Sequence, residues 1–414
     1  MRQFVLLFLF VLFGTAAGAQ PAVQDSLKQK LPFLEVKQNV LLNDSAGLQD
    51  FYYKLLYLQE TGSEVVSVVH IGDSHIQADL FSGRVRQELH KYYGNAGRGL
   101  IFPYKVARTN EPWSYKTTSE TRWDVRRNIS ADTTLPIGIS GITLRTADTA
   151  AVLTLKLSRN PQLDYRFKKL TLLHQKGPQT YDWLVTTSQQ QPISYIRGNN
   201  ALTNQFMSVV ESDSLLNEIC FRTTRSDSAQ VCAQLYGMVL ENGEPGILYH
   251  TIGVNGAEYR HYNRSEYFFE QVKLLKPDLV VVSLGTNDAY HSGFDSVRFS
   301  NELDLLVSRI RSGNPEANIL LTTPPDSYRN RKYRNADMKK LRDTLVQYCY
   351  DHNLACWDFY SIMGGYGSIL KWVQAGLAQN DRVHLTARGY DVQGLLLYSA
   401  LRDGFEKFAA ARSE

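Results

Sequence analysis

Three short polar segments, far apart in the chain, contain the residue types of a site that cleaves esters through a serine nucleophile. Each follows the end of an apolar run, and the three are Gly72-Asp73-Ser74-His75, Gly285-Thr286-Asn287-Asp288 and Asp381-Arg382-Val383-His384. A serine hydroxyl is a poor nucleophile at its ordinary pKa, so it needs a nearby base and a third group that holds this base in one tautomer. Ser74, His384 and Asp381 are the candidates for these roles.

Attack on a carbonyl leaves a negatively charged oxygen, which needs hydrogen-bond donors around it in a dry pocket. The backbone N–H groups of Ser74 and Gly256 and the side-chain amide of Asn287 are suitable donors. This chemistry requires neither a metal nor an organic cofactor. The histidines do not stand at ligand spacing beside the cysteines, so no metal site is predicted.

Each segment taken alone also has a simpler structural explanation. Glycine, aspartate and serine are common in turns for backbone reasons, so the Ser74 segment could be only a turn that ends a strand. Asp288 could cap a helix, and Asp381 could cap the last helix with His384 beside it. The combination of the three segments, and none of them singly, carries the prediction of an active site.

In chain order, the segments resemble four sequence blocks of the SGNH or GDSL-type esterases and lipases. The matching stretches are Val69-His70-Ile71-Gly72-Asp73-Ser74-His75, Ile252-Gly253-Val254-Asn255-Gly256-Ala257, Gly285-Thr286-Asn287-Asp288 and Asp381-Arg382-Val383-His384-Leu385-Thr386. The resemblance implies that Ser74 is the nucleophile, His384 the base and Asp381 its orienting partner. It also implies an oxyanion hole formed by Ser74, Gly256 and Asn287.

His75 stands where the commoner pattern of this family has leucine. The Gly-Asp-Ser-His form resembles the branch that contains peptidoglycan O-acetylesterases. We expect His75 to face the surface or the substrate and not to act as a second base. Asp73 is a further candidate for the substrate side. Thr323 is another. The Pro324-Pro325 pair after it also resembles a strand-end loop of that branch, although a rigid turn explains the pair equally well.

The first residues predict export. Arg2 precedes an apolar run over residues 4–13, and Ala17-Gly18-Ala19 provides the small residues of a cleavage site, so residues 1–19 are predicted to be a secretory signal peptide. The run is too short to span a bilayer, which takes ~20 residues. No cysteine follows the cleavage region, so a lipid anchor is not expected. We expect a periplasmic monomer without stable membrane insertion.

Composition is that of an ordinary globular protein, and 414 residues leave room for two domains. The formal net charge of +4 is small and spread along the chain. We expect no cluster of Lys and Arg interleaved with aromatic residues, and therefore no nucleic-acid partner. A weak attraction to anionic wall polymers stays open.

The four cysteines could form disulfides in an exported chain, although a protein of this size does not need them. Cys220 and Cys232 lie symmetrically about residues 225–227, which are predicted to form the turn of a hairpin. A bridge between these two stays open. Cys349 and Cys356 flank a helix-to-strand connection and could be bridged or simply buried.

Near-continuous apolar runs predict parallel strands covered on both faces, at residues 65–71, 247–254, 279–284, 319–323 and 354–359. Helical patterns accompany them at residues 80–93, 265–275, 299–312, 336–350 and 387–411. This alternation predicts an α/β fold, a doubly wound flavodoxin-like sheet of five parallel strands. Ligands bind beyond the carboxyl ends of such strands, where Ser74, Gly256 and Asn287 fall.

Far more chain separates the first two of these strands than one crossover helix needs. Short strand-like runs fill it at residues 152–157, 167–174, 183–187, 193–197, 206–211, 218–223 and 230–240. Their spacing predicts an antiparallel β-sandwich over residues 111–243, inserted into an esterase domain of residues 31–110 and 244–414.

The layout is similar to the carbohydrate-binding-module-like sandwich of certain peptidoglycan O-acetylesterases. Binding of a glycan and simple covering of the active-site edge are both open for the insert. The candidate glycan platforms are Trp113, Tyr115, Trp123, Tyr165, Tyr181, Trp183 and Tyr195.

The resemblance implies a secreted carbohydrate esterase that removes O-acetyl groups from a polysaccharide, with peptidoglycan as the expected substrate. An acetyl-enzyme would form on Ser74 and water would release it. Four alternatives stay open: a polysaccharide O-acetyltransferase, an acetylxylan-type esterase, a lipase or thioesterase, and a cell-wall glycan-binding scaffold.

Overall fold

The computed structural model describes residues 27–131, 134–159, 163–199 and 205–413. The predicted signal peptide, residues 1–19, lies outside the described residues. None of the helices in the described ranges has the length and apolar character that a membrane span requires.

The strands are numbered in chain order: β1 Leu41–Leu42, β2 Val65–Gly72, β3 Gly99–Ile101, β4 Tyr115–Thr118, β5 Asp124–Arg127, β6 Ile142–Thr146, β7 Val152–Leu157, β8 Phe167–His174, β9 Asp182–Thr186, β10 Pro192–Ile196, β11 Met207–Leu216, β12 Glu218–Thr224, β13 Ala233–Glu241, β14 Gly246–Gly253, β15 Leu279–Ser283, β16 Asn318–Thr322, β17 Tyr328–Arg329, β18 Tyr333–Arg334 and β19 Ala355–Trp357.

The α-helices are α1 Asp44–Gly47, α2 Gln49–Thr61, α3 Ser74–Gln77, α4 Phe81–Tyr93, α5 Tyr259–Asn263, α6 Phe268–Val272, α7 Ser296–Gly313, α8 Asp337–Asp351, α9 Phe359–Ile362, α10 Ile369–Gln374 and α11 Ala387–Ser413. Short 3₁₀ helices cover Val36–Gln38 and Lys273–Leu275.

The central sheet has the strand order β1-β19-β16-β15-β2-β14. The five strands from β19 to β14 in this order are parallel, as the apolar runs predict, whereas the edge strand β1 pairs antiparallel with β19. The sheet is therefore mixed. The sequence does not predict β1, because two residues are too few to show a periodic pattern.

Alternate residues of β2 face opposite sides of the central sheet. Val66 and Val68 join one buried cluster, which includes side chains of α2, α4 and α11. Val69 and Ile71 join the other, with side chains of α6, α7 and α8. Helices thus cover both faces, which explains why the strand is apolar at nearly every position.

Two antiparallel sheets occupy the stretch between β2 and β14, with the orders β10-β9-β12-β7-β4 and β11-β8-β13-β6-β5. Both contribute to one buried cluster, in which the rings of Trp123 and Trp183 stack with their centroids 6.4 Å apart. The sequence pattern does not reveal β3, β4, β5 or β6. These strands are short, and β5 carries the largely charged sequence Asp124–Arg127, which lacks an apolar alternation.

The prediction that Cys220 and Cys232 lie on the two strands of one hairpin is wrong. Cys220 lies in β12 of the first antiparallel sheet, whereas Cys232 directly precedes β13 of the second. The two thiols therefore cannot face each other across one hairpin. All four cysteines are free thiols in this structure.

A buried ionic cluster joins α4 to the antiparallel sheets. The Asp79 carboxylate accepts hydrogen bonds from Arg86 at 3.0 and 2.6 Å and from Arg98 at 2.5 Å. Burial by itself raises the pKa of Asp79. The two guanidinium groups lower this pKa by a larger amount, so the net pKa is lowered and the carboxylate stays ionised. Arg98 also donates to Ser114, and Arg86 donates to Tyr165. One carboxylate thus fixes two arginines that reach across to the antiparallel sheets.

Replacing this carboxylate should destabilise the whole protein. An Asp79→Asn variant leaves two buried guanidinium groups without their counter-charge, and we expect it to lose ~3–5 kcal/mol of unfolding free energy, measured by urea denaturation. Asp391→Asn is the matched control. It removes a half-exposed carboxylate that pairs with Arg84, and we expect a loss of less than ~1 kcal/mol. Equal losses in the two variants would show that the buried cluster does not stabilise the fold.

Candidate active site

Ser74 stands at a sharp turn between β2 and the short helix α3. The Asp73 side chain caps this helix by accepting the His75 N–H at 2.9 Å. A Cβ atom at Gly72 would lie 2.2 Å from Cγ1 of Ile76, so only glycine lets the helix fold back so closely on the strand end. The turn presents the Ser74 side chain beyond the carboxyl end of the central sheet.

The structure brings the side chains of Ser74, His384 and Asp381 together. Nε2 of His384 lies 2.8 Å from Oγ of Ser74, and Nδ1 lies 2.7 Å from Oδ2 of Asp381. The other carboxylate oxygen accepts the backbone N–H groups of Val383 at 2.9 Å and His384 at 3.0 Å. Because a carboxylate at Nδ1 favours the tautomer with its proton there, Nε2 is left able to accept the serine proton.

The environment of Asp381 keeps its carboxylate charged. Partial burial by itself raises the pKa of this group. The hydrogen bonds from the His384 side chain and from two backbone N–H groups lower the pKa by more, so the balance is a lowered pKa. An ionised Asp381 can stabilise a positive charge on His384 when the imidazole takes a proton.

Ser74, His384 and Asp381 line a cavity of about 640 Å³ together with Gly256 and Asn287. Gly256 has φ +82°, a backbone conformation that favours glycine, at its position in the cavity wall. Nδ2 of Asn287 donates to the Ala257 carbonyl at 3.0 Å and to Oδ2 of Asp73 at 3.2 Å. An oxyanion in the cavity would compete with the longer of these two contacts.

His75 is buried, with 5% of its surface exposed, so the expectation that it faces the surface or the substrate is wrong. Its ring packs beside that of His384, with the centroids 5.2 Å apart, and Nδ1 shares a hydrogen bond of 2.9 Å with the Tyr390 hydroxyl. Burial lowers the pKa of His75 to about 3, and the nearby His384 adds to this effect. A neutral His75 therefore packs against the His384 imidazole.

Asp73 and Thr323 do not reach the substrate side either. Both are 1% exposed and neither lines the cavity. The Thr323 hydroxyl donates to Asp358 at 3.0 Å and accepts the Tyr360 N–H at 2.9 Å. These bonds turn the Thr323 side chain into the protein at the end of β16, which the sequence pattern does not reveal.

Sequence reasoning missed a network of side-chain amides beside the cavity. Oε1 of Gln77 accepts the Asn255 N–H at 2.8 Å, and its Nε2 donates to Oδ1 of Asn110 at 2.5 Å. Nδ2 of Asn255 donates to the same Asn110 oxygen at 2.8 Å. The network fixes the residue before Gly256. Its one sequence signal is that Gln77 follows Ser74 by three residues, on the same helical turn.

The wall of the cavity is mixed. Apolar lining comes from Leu80, Val383 and Leu385, and polar lining from Tyr290, Arg331 and Gln379. Within the described ranges, no group of three or more His, Cys, Asp or Glu residues is placed to hold a metal ion.

Asp73 should make stability depend on pH. Burial raises its pKa from 3.8 to about 7, so the folded protein holds a proton that the unfolded chain releases between these values. Stability is therefore lost as pH rises through this window. We expect the fall in unfolding free energy between about pH 5 and about pH 8 to be smaller by about 2 kcal/mol in an Asp73→Asn variant.

Urea denaturation of both proteins at the two pH values measures this difference. All other titratable groups are shared, so the comparison isolates Asp73. An unchanged pH dependence in the variant would mean that Asp73 is ionised in the folded protein throughout the range.

Residues 216–392 match the family described as GDSL-like Lipase/Acylhydrolase. The match contains Gly256, Asn287, Asp381 and His384. Ser74 lies outside it, because the antiparallel strands separate the first block from the rest. The resemblance found in the sequence is confirmed for this part of the chain. No curated protein shows a significant sequence match.

Among solved structures, a peptidoglycan O-acetylesterase superposes with a TM-score of 0.74 at 21% sequence identity, covering 89% of this chain and 99% of that chain. This likeness establishes a shared fold. An acetylxylan esterase from Geobacillus stearothermophilus, in a catalytic mutant form, matches with a TM-score of 0.31 at 22% identity, over 39% of this chain and 73% of that chain.

Proposed function

We propose that this protein is a secreted serine esterase that removes O-acetyl groups from a polysaccharide, with peptidoglycan as the substrate. The GDSL-like lipase/acylhydrolase domain makes the chain a carboxylic ester hydrolase. The observation that carries this proposal is the hydrogen-bonded chain from Ser74 through His384 to Asp381, which opens into a cavity with Gly256 and Asn287.

The geometry supports a two-step reaction. Nε2 of His384 takes the Ser74 proton while Oγ attacks the acetyl carbonyl, and the N–H groups of Ser74 and Gly256 with the amide of Asn287 hold the oxyanion. The C–O bond to the sugar then breaks, and His384 returns its proton to the leaving sugar oxygen. Water, deprotonated by His384, hydrolyses the acetyl-enzyme and releases acetate. Asp381 balances the charge of the imidazolium in both steps.

The shared fold with a peptidoglycan O-acetylesterase, over 89% of this chain, supports an O-acetylated polymer as the substrate. An acetyl group is small against a cavity of about 640 Å³, which leaves space for part of a sugar chain. Export through the predicted signal peptide of residues 1–19 would place a monomeric enzyme in the periplasm, where such a polymer is found.

We further propose that residues 111–243 form an inserted carbohydrate-binding-module-like β-sandwich and that residues 31–110 and 244–414 form the esterase domain. The two antiparallel sheets of the insert share a buried cluster, which supports a sandwich. Among the aromatic candidates, Trp113 and Tyr195 are exposed at 46% and 45%, whereas Tyr115, Trp123, Tyr165, Tyr181 and Trp183 are buried. Trp113 and Tyr195 are therefore the residues through which the insert would bind a glycan.

Removing the nucleophile tests the proposal directly. We expect Ser74→Ala to lower acetate release from O-acetylated peptidoglycan at least ~10³-fold, because the Ser74 hydroxyl is the group that bonds to Nε2 of His384. Ser292→Ala, which alters an exposed serine of a neighbouring cavity, is the control and should keep full activity. Acetate release is measured for the purified mature protein and both variants.

Three other results would replace the proposed substrate or reaction. Release from acetylated xylan but not from peptidoglycan would indicate an acetylxylan-type esterase. Acetyl transfer to an added sugar acceptor, lost in Ser74→Ala, would indicate a transferase. Glycan binding without any turnover, equal in wild type and variant, would indicate a scaffold protein.

The oxyanion donor should affect the rate and not substrate binding. We expect Asn287→Ala to lower kcat by ~10²–10³-fold with a small change in KM, because the amide acts on the charge that develops in the transition state. Hydrolysis of 4-nitrophenyl acetate measures both constants, and Asn301→Ala, at an exposed helix position, is the control. The unfolding midpoint is measured as well, since Asn287 also bonds to Ala257. A rise in KM alone would remove Asn287 from the oxyanion hole.

A further inference from the structure

A basic and aromatic hairpin stands at the rim of the cavity. Residues 328–334 have the sequence Tyr-Arg-Asn-Arg-Lys-Tyr-Arg, and the strands β17 and β18 pair antiparallel across this segment. Asn330 and Arg331 in its turn have φ of 51° and 60°. We name residues 328–334 together with Arg382 the cationic hairpin. The expectation of evenly spread charge without an aromatic-basic cluster is wrong for this segment.

The cationic hairpin is fixed between two loops of the active site. On one side, Arg329 donates to the carbonyls of Tyr290 at 2.8 Å and His291 at 2.9 Å, just after Asn287 in the chain. On the other side, the Tyr328 N–H donates to the Arg382 carbonyl at 2.9 Å, and Arg382 donates back to the Arg331 carbonyl at 2.8 Å. Its position relative to Ser74 is therefore set by the residues that build the site.

Most of its positive charge is unneutralised. Arg329 pairs with Asp337 at 2.6 Å. Within the described part of the chain, by contrast, no ion pair is formed by Arg331, Lys332, Arg334 or Arg382. The first three of these side chains are exposed, and Arg331 lines the cavity beside Ser74. Asp326 lies near Arg334 but is buried, at 1% exposure.

Aromatic rings support three of these cations. Lys332 lies 5.2 Å from the ring centre of Tyr333, Arg334 5.6 Å from that of Tyr366, and Arg382 5.1 Å from that of Tyr328. Such contacts stabilise a cation without neutralising it. Tyr333 and Tyr366 are 57% and 50% exposed, so their rings are also available for the apolar face of a sugar.

We propose that the cationic hairpin binds carboxylate groups of the glycan strand whose acetyl ester lies at Ser74, so that the enzyme prefers an anionic polysaccharide to a neutral one. Exposed guanidinium groups bind carboxylates in bidentate geometry, and an unpaired positive patch beside a cavity attracts an anionic polymer. The assignment rests on the proposed esterase function and adds the charge of its substrate. In O-acetylated peptidoglycan the free carboxylates of the peptide stems, and the lactyl carboxylates of muramyl residues that carry no stem, would supply this charge.

Two substrates that differ only in the charge of their carboxyl groups test the preference. O-acetylated peptidoglycan is compared with the same material after its carboxyl groups have been converted to neutral amides. We expect the ratio of kcat/KM on the acidic form to kcat/KM on the amidated form to fall about tenfold in an Arg331→Gln, Lys332→Gln, Arg334→Gln triple variant. In the wild type, the same ratio should fall with added salt, because ions screen exposed charges.

The control variant loses equal charge elsewhere. Lys37→Gln, Lys54→Gln and Lys407→Gln alter exposed side chains that lie outside the catalytic cavity. We expect the substrate ratio of this variant to match that of the wild type. An equal fall in both triple variants would mean that net charge, and not the hairpin, sets the preference, and an unchanged ratio in the hairpin variant would overturn the assignment.

Binding separates this assignment from the proposed function. The Ser74→Ala protein is mixed with acidic or amidated peptidoglycan and the bound fraction is measured by cosedimentation, with and without the three hairpin substitutions. If the three hairpin substitutions reduce binding to the acidic form and leave binding to the amidated form unchanged, the hairpin assignment is supported, even when the wild type releases no acetate. Equal binding to both forms contradicts it. Binding of single-stranded DNA in preference to acidic peptidoglycan, lost on hairpin substitution, would assign the surface to nucleic acid instead.

Discussion

The register of three parallel strands is the constraint on which the site depends. In the hydrogen-bond ladder of the central sheet, Gly72 stands opposite Gly253 on one side and Ser283 on the other. The chain leaves all three strands at the same level. Ser74, Gly256 and Asn287 follow within a few residues of these ends, so they must meet at one edge of the sheet. A shift of register would separate Ser74 from Gly256 and Asn287.

The register between β2 and β14 is kept although a long segment of the chain separates the two strands. More than 170 residues lie between the end of β2 and the start of β14, yet the two strands pair over their whole lengths. Two polar connections fix this intervening segment to the residues that follow β2. The ionic cluster around Asp79 bonds to Ser114 and Tyr165 through its arginines, and the amide of Gln77 bonds to Asn110. Asp79 and Gln77 both lie within six residues of Ser74, so the same short segment positions Ser74 and the antiparallel sheets.

Electrostatics divide the site into a neutral interior and a charged rim. Burial lowers the pKa of His75 and raises that of Asp73, which disfavours charge on both of these groups beside Ser74 and His384. Negative charge is favoured instead on Asp381, where hydrogen bonds outweigh the effect of partial burial and lower the pKa. Positive charge collects instead on the cationic hairpin, where water and aromatic rings surround it. Buried charge would be costly, whereas charge at the rim can act on a polymer that approaches from solvent.

The sequence by itself determined the five parallel strands, their order in the chain and the identity of Ser74, Asp381 and His384 as partners. The strands follow from local properties, since apolar runs of strand length can be recognised without knowing the neighbours in space. The three site residues follow from the combination of the polar segments and its resemblance to the blocks of the SGNH esterases. Tertiary structure alone decided that His75 and Thr323 face inward, that Cys220 and Cys232 lie in different sheets, and that Gln77 meets Asn110 and Asn255. The physical reason is that burial and hydrogen bonding depend on distances between segments far apart in the chain, and periodicity contains no information on those distances.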